Sequence, residues 1–325
     1  MSDTKTVRSA NTREAIGIRK AIYLPILWAA LVAMPFWIVP LGGYTALASQ
    51  VLVIGLAAMG VNFIVGHTGV ISFGHSAYFG LGAYGVGMTM RYLVPSTPIG
   101  LLAGVLVGTV GGAIVGYLII RLRGIYFALA TIAFSQVFYF IAFRWNSATG
   151  GDNGLTGFRR MNIHLGFAQI PVRSDLAYYY VVLAVFAVCT GVMAIILRSP
   201  FGRTLLAIRE NERRARFLGI PINLHIWLAF TISCFFTAVA GGLYALLNNF
   251  TNPSNLSWEL AGDFVLMAVI GGMRSFWGPL LGAAIFVVAQ DYLSGITQDW
   301  MFFIGMIFVL AVLFLPRGVM GLFRK

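Results

Sequence analysis

"SQVLVIGLAAMGVNFIVG" fills residues 49–66 without one ionisable side chain, and the uncharged stretch around it runs from residue 21 to residue 90. A helix that spans a bilayer needs about 20 mostly apolar residues to cross a hydrocarbon core of roughly 30 Å. Over all 325 residues, 59% are hydrophobic and only 10% are charged, too little polar material to cover a soluble domain of this size. Further apolar segments fall at 21–40, 44–65, 70–90, 98–120, 124–143, 177–197, 224–247, 260–273, 277–295 and 299–315. The expected fold is therefore all-α, a polytopic integral membrane helix bundle of about ten transmembrane helices. A tail of residues 1–20 precedes a membrane domain over 21–316, and a second tail covers 317–325.

The N-terminal tail is basic (Lys5, Arg8, Arg13, Arg19, Lys20), and "ALAS" at 46–49 resembles a signal-peptidase site. The first apolar run is long for a signal peptide, and residues 49–66 continue straight into a second span. The first helix is expected to be retained.

A net charge of +12 would suit a nucleic-acid ligand, but the basic residues fall in short clusters between apolar runs. With the N-terminus inside, Arg91, Arg144, Arg159, Arg160 and Arg173 lie outside, and the other 17 of the 22 Lys and Arg lie inside. Positive-inside sorting favours that orientation over its reverse. Both termini are thus expected in the cytoplasm. The loop 144–176 then lies outside and the segment 199–222 inside. The outer loop carries "TGGDNGLTG" (149–157), rich in residues that favour tight turns. It reads equally as a plain turn or as a docking point for a soluble partner.

Reactive chemistry is sparse. The lysines are Lys5, Lys20 and Lys325, none preceded by a glycine-rich loop, so no phosphate-binding loop is present. His67, His75, His164 and His225 lack the spacing of metal ligands, and Cys189 and Cys234 sit inside apolar runs. Asp263 and Asp291 fall near the flanks of their segments, which leaves the deep positions neutral and weakens a proton-coupled carrier. No motif supports an enzyme, a metal site or a cofactor in this chain.

Two patterns stand out instead. Gly100, Gly104, Gly108, Gly112 and Gly116 repeat every four residues, a groove on one helix face that lets another backbone approach closely. From Arg209 to Arg216, six of eight positions are charged. Glu210 lies four residues before Arg214, and Glu212 four before Arg216, an order that supports a helix by roughly 0.2–0.5 kcal/mol per pair. Apolar Leu205, Leu206 and Ile208 precede the charges, Ala215, Phe217 and Leu218 follow, and Gly219 and Pro221 end the element. This pattern predicts a short helix that docks a protein. Polar residues near glycine-rich stretches (Asn62, Ser72, His75, Tyr78, Gln136 and Asn248) are candidates for lining a path, with interhelical hydrogen bonding as the alternative role for each. "GVISF" (69–73) and "GGMRSF" (271–276) share a GxxSF pattern that hints at an internal repeat.

These residues resemble a known family. "SPFGRTLLAIRENERRARFLGI" (199–220) is similar to the cytoplasmic coupling segment of LivM-type permeases of ABC importers for branched-chain amino acids. "GHTGVISFGHSAYFGLGAYG" (66–85), "LRGIYFALATIAFSQ" (122–136), "TGGDNGLTG" (149–157) and "GGMRSFWGPLLGA" (271–283) resemble further signatures in the family's order. The resemblance covers about residues 44–323. One departure is Arg274-Ser275, where family members commonly carry Gly-Thr.

The resemblance implies a bacterial inner-membrane subunit that pairs with a second, related permease in a heterodimer, surrounded by membrane lipid. Two cytosolic ATPase subunits would bind the ATP, and a soluble binding protein would deliver substrate. Arg209, Glu210, Glu212, Arg213, Arg214, Arg216, Phe217 and Gly219 would form the part that the ATPase grips. The same machinery carrying urea or short amides is the nearest alternative, and a stand-alone secondary carrier or channel is an alternative of another class.

Overall fold

The computed structural model describes residues 25–40, 42–164, 169–170, 172–315 and 318–322; the tail 1–20 with its basic leader lies outside them. In chain order the helices are α1 (Pro25–Ile38), α2 (Thr45–Thr68), α3 (His75–Met88), α4 (Thr97–Ile119), α5 (Ile125–Arg144), α6 (Asn146–Thr149) and α7 (Asp175–Arg198). There follow α8 (Pro200–Glu210), α9 (Glu212–Phe217), α10 (Ile222–Asn248), α11 (Trp258–Gly271), α12 (Gly278–Ile296), α13 (Trp300–Phe314) and α14 (Val319–Leu322). Each of the ten apolar sequence segments overlaps one of these helices. Six of them, α2, α4, α5, α7, α10 and α12, are long and apolar enough to cross a membrane. The only paired strands among the described residues are β1 (Ile163–His164) and β2 (Gln169–Ile170), antiparallel in the loop before α7.

α2 is the hub. It is apolar on every side, and it packs against α7, α10, α11 and α12. A helix without a polar face belongs inside a bundle, where no side is left for water. α10 also reaches α3 and α4, and the α3–α4–α10 layer closes through glycines. A Cβ on Gly104 would lie 2.4 Å from the Gly82 carbonyl oxygen. One on Gly112 would lie 2.5 Å from the Cβ of Cys234. The four-residue ladder of α4 thus faces α3 and α10 at near backbone contact along its length. By contrast α4, α5, α7, α12 and α13 leave large apolar side chains exposed, such as Leu102, Tyr126, Ile195, Tyr292 and Phe314, as a lipid-facing surface requires.

Helix ends sort onto two faces. On one face, Asn62 Nδ2 near the end of α2 donates to the Ser275 carbonyl (3.3 Å), and Arg123 meets Glu212 (3.2 Å). On the other, Arg91 donates to the Thr156 carbonyl (2.9 Å), Tyr44 donates to Asp291 (2.9 Å), and Leu155 pairs with Thr251. The two GxxSF segments occupy matching places on the first face, one linking α2 to α3 and the other α11 to α12.

Candidate functional site

The charged segment is two helices rather than one. Ser199 caps α8, with its hydroxyl accepting from the Gly202 amide, and Pro200 occupies the first helical position. At Asn211 the backbone opens to φ −160°, ψ 97°, and the Asn211 side chain accepts from the Arg214 amide at 2.9 Å. Asn is a strong N-cap because its carbonyl satisfies an amide that the helix leaves without a partner. The break separates Glu210 from Arg214, so of the two acid–base pairs expected, only Glu212–Arg216 forms, at 3.0 Å. Gly219, at φ +79°, ends α9: its amide donates to the Arg216 carbonyl and the Ile220 amide to that of Ala215. These two bonds make a Schellman cap, which needs a left-handed residue at this position.

One side of the segment is bound to the membrane domain. Leu205, Ile208 and Ala215 are buried, the last two in a cluster with Ile120, Ile222 and Ile226. Arg123, from the turn between α4 and α5, reaches Glu212 and also Asn223 at the start of α10. Arg209 donates to the Gly66 carbonyl near the end of α2. The other side carries Arg213, Arg214 and Phe217, all exposed; Phe217 is 91% accessible, and Leu218 beside it 74%. Arg209 and Glu212 therefore bond within the chain, while Arg213, Arg214 and Phe217 point away from it. Glu210 and Arg216 are also exposed, the latter bonded to Glu212. The tying role of Arg123 gave no signal in the sequence, where it counted only as one more inner charge.

The candidate path residues do not form one lining. Ser72, His75 and Tyr78 gather at the start of α3, all fully buried. His75 Nδ1 lies 2.9 Å from Ser72 Oγ, and Nε2 lies 2.7 Å from Ser233 Oγ on α10. Ser233 spends its one proton on the Gly60 carbonyl of α2 (2.6 Å), so His75 Nε2 carries the hydrogen and donates. The Tyr78 and Phe230 rings meet the imidazole edge-on, at 5.9 and 5.4 Å. This chain of bonds joins α2, α3 and α10. Asn62 is buried nearby, with its Oδ1 unpaired among the described residues. Gln136 on α5 is half-buried, and Asn248 is exposed, its amide on the Tyr244 carbonyl at 3.0 Å. Ser233 was not legible as a partner, because nothing in an apolar run marks its hydroxyl apart from those of Thr231 and Thr237.

The opposite face carries a cavity of about 330 Å³ lined by Arg159, Arg160, Met161, Arg173 and Asn249. The loop that forms it is tightly built, with Gly150, Gly151, Gly154 and Gly157 of "TGGDNGLTG" all at positive φ.

The family described as "Branched-chain amino acid transport system / permease component" matches residues 43–312. The chain belongs to this permease family. It is similar to the high-affinity branched-chain amino acid permease protein LivM of Salmonella typhimurium, 26% identical over 94% of this chain and 76% of that protein. Similar again are LivH of Escherichia coli K12, 28% identical over 82% of this chain and 90% of LivH, and the autoinducer 2 import permease LsrD of Yersinia enterocolitica, 26% over 76% and 73%. No solved structure matches. The chain is thus a LivM-type permease subunit of an ABC importer and a multi-pass membrane protein. The charged segment is tied to the ends of α2, α4 and α10.

Proposed function

We propose that this permease carries branched-chain or related amino acids across the bacterial inner membrane, paired with a second permease of the same family. Ten helices cross the membrane, with both termini in the cytoplasm. A soluble binding protein supplies substrate from outside, and two ATPase subunits bind the ATP. Gln136 and Asn248 line part of the path, while Ser72, His75 and Tyr78 hold helices together. The LsrD relative, named for autoinducer 2 import, favours a second reading in which the same machinery takes a cargo other than an amino acid.

The observation that carries the proposal is the two-sided build of α8–α9. Its inner side is bonded to the bundle, and its outer side offers Phe217 at 91% exposure, with the exposed Arg213 and Arg214 on the same short helix. An aromatic residue beside arginines is the composition of a protein-docking centre. The test is Phe217→Asp. The side chain touches almost nothing, so the permease should be recovered in normal yield. Co-purification of the ATPase and substrate-stimulated ATP hydrolysis in liposomes should both fall at least tenfold, a loss of about 1.4 kcal/mol. Full retention of both would reduce the segment to a solvated loop.

A further inference from the structure

We propose that the arginine-lined cavity on the face opposite α8–α9 binds the carboxylate of a small ligand, and that this ligand is the incoming amino acid; the inference rests on the cargo proposed above. Two helices fix its place. α7 begins beside Arg173 and ends at α8, and α10 begins beside α9 and ends beside Asn249. With 24 and 27 residues, each separates the cavity from the charged segment by about 36–40 Å, at 1.5 Å per residue. The cavity therefore opens where substrate would enter.

Charge singles it out next. Basic residues on the outer side run against positive-inside sorting. Three of the five that this chain places there, Arg159, Arg160 and Arg173, line one cavity. Arg160 is held from several sides. Its backbone amide donates to Asn249 Oδ1 (2.9 Å), and its Nη2 pairs with Asp175 (2.9 Å). Its guanidinium lies 4.6 Å from the centre of the Tyr178 ring, and Tyr178 donates in turn to the Leu243 carbonyl of α10 (2.5 Å). The neighbouring Met161 is fixed by Thr97, whose hydroxyl bonds both its amide and its carbonyl. Against that rigid frame, Arg160 Nη1 is buried with no partner among the described residues.

A buried cationic donor without an acceptor is costly, and a guanidinium N–H makes a strong charge-assisted bond to a carboxylate oxygen. Arg159 and Arg173 are exposed and supply further donors at the rim. A volume of about 330 Å³ is at the small end of ligand pockets. Met161 gives an apolar wall for a side chain. Arg159 and Arg173, with Arg160 already sharing its charge with Asp175, leave a net positive site that selects an anion at one end and leaves the rest of the ligand loosely specified, as a handover point requires.

The test uses the intact transporter assembly, purified through a tag on this chain and placed in nanodiscs of phosphatidylcholine, which has no net charge, without binding protein. Leucine and leucinamide, which lacks the carboxylate, are titrated and followed by saturation-transfer NMR. Leucine should bind, and leucinamide should bind roughly tenfold more weakly or worse, the loss expected for a charge-assisted hydrogen bond. Arg160→Gln should weaken leucine to a similar degree. Should that variant fail to fold, Arg159→Gln with Arg173→Gln, both at exposed positions, should still reduce it several-fold. Absence of leucine binding, equal binding of the two ligands, or unchanged binding in the double variant overturns the site. If leucine does not bind but association of the binding protein falls in the double variant, the carboxylate belongs to that protein, and the small-ligand site is wrong. Proteoliposomes complete with binding protein separate this from the cargo proposal. No import of leucine, isoleucine or valine by the unmodified transporter overturns the cargo, whereas normal import by the double variant overturns only the cavity.

Discussion

At Gly108 a single hydrogen decides whether α4 can lie against its neighbours. A Cβ there would stand 2.5 Å from the Cβ of Ala238 and 2.9 Å from the Tyr78 carbonyl oxygen. Neither neighbour can yield without moving α10 or α3. Gly108→Leu is expected to abolish recovery of monodisperse protein in size-exclusion chromatography. Gly191→Leu is the matched control: it lies on an exposed side of α7 with nothing within 4 Å and should be recovered normally. Ser233 is a second residue with a defined cost. Ser233→Ala leaves the His75 Nε2 hydrogen without its acceptor, while the Gly60 carbonyl keeps its helical bond, and a buried unsatisfied group costs about 1–3 kcal/mol. A lower melting temperature in detergent, with the substrate range unchanged, is the expected result. An altered substrate range at unchanged stability would instead return His75 to the path.

Asn211 governs the charged segment at the scale of the element. Without its cap, the orphan amides at the start of α9 have no acceptor, so Asn211→Ala should destabilise this helix by about 0.5–2 kcal/mol. Hydrogen exchange at residues 212–217 should quicken, and exchange in α8 should not. Equal quickening in both would mean that the two helices are one unit. Much of this segment was legible in the sequence: its charges, its apolar ends and its stop at Gly219. The break was not. Asn is only mildly unfavourable inside a helix yet strongly favoured as a cap, and the acid–base register across Asn211 spoke for continuity. What decided between them is tertiary: Arg123 holds Glu212 from outside, and Ala215 is buried against Ile222 and Ile226. The glycine ladder was legible for the complementary reason, since a helix repeat carries its own geometry. The clustering of Ser72 and His75 with Ser233 was not, because 158 residues separate His75 from its partner.

Across the whole molecule, the helix ends fall on two faces. Arg209 with Gly66, and Arg123 with Glu212, lie together on one of them; Arg91 with Thr156, and Leu155 with Thr251, lie together on the other. These contacts show which loops share a side, while the charge pattern is the basis of the proposal for which side is cytoplasmic. The two are independent: contacts come from packing, and sorting of basic residues comes from insertion. The topology proposed above uses both, with α7 alone connecting Asp152 to the charged segment across the membrane. Reporter fusions after Asp152 and after Arg214 test it. An alkaline-phosphatase fusion, active only outside the cytoplasm, should be active after Asp152 and silent after Arg214, and a reporter that works only inside should give the reverse. Activity of one reporter at both positions would mean that α7 does not cross, despite 24 residues with mean hydropathy 2.7 over its most apolar window. Both positions reporting the opposite sides would keep the packing and invert the orientation. The docking surface at Phe217 would then face outward and the arginine cavity inward, so this one measurement bears on both sites at once.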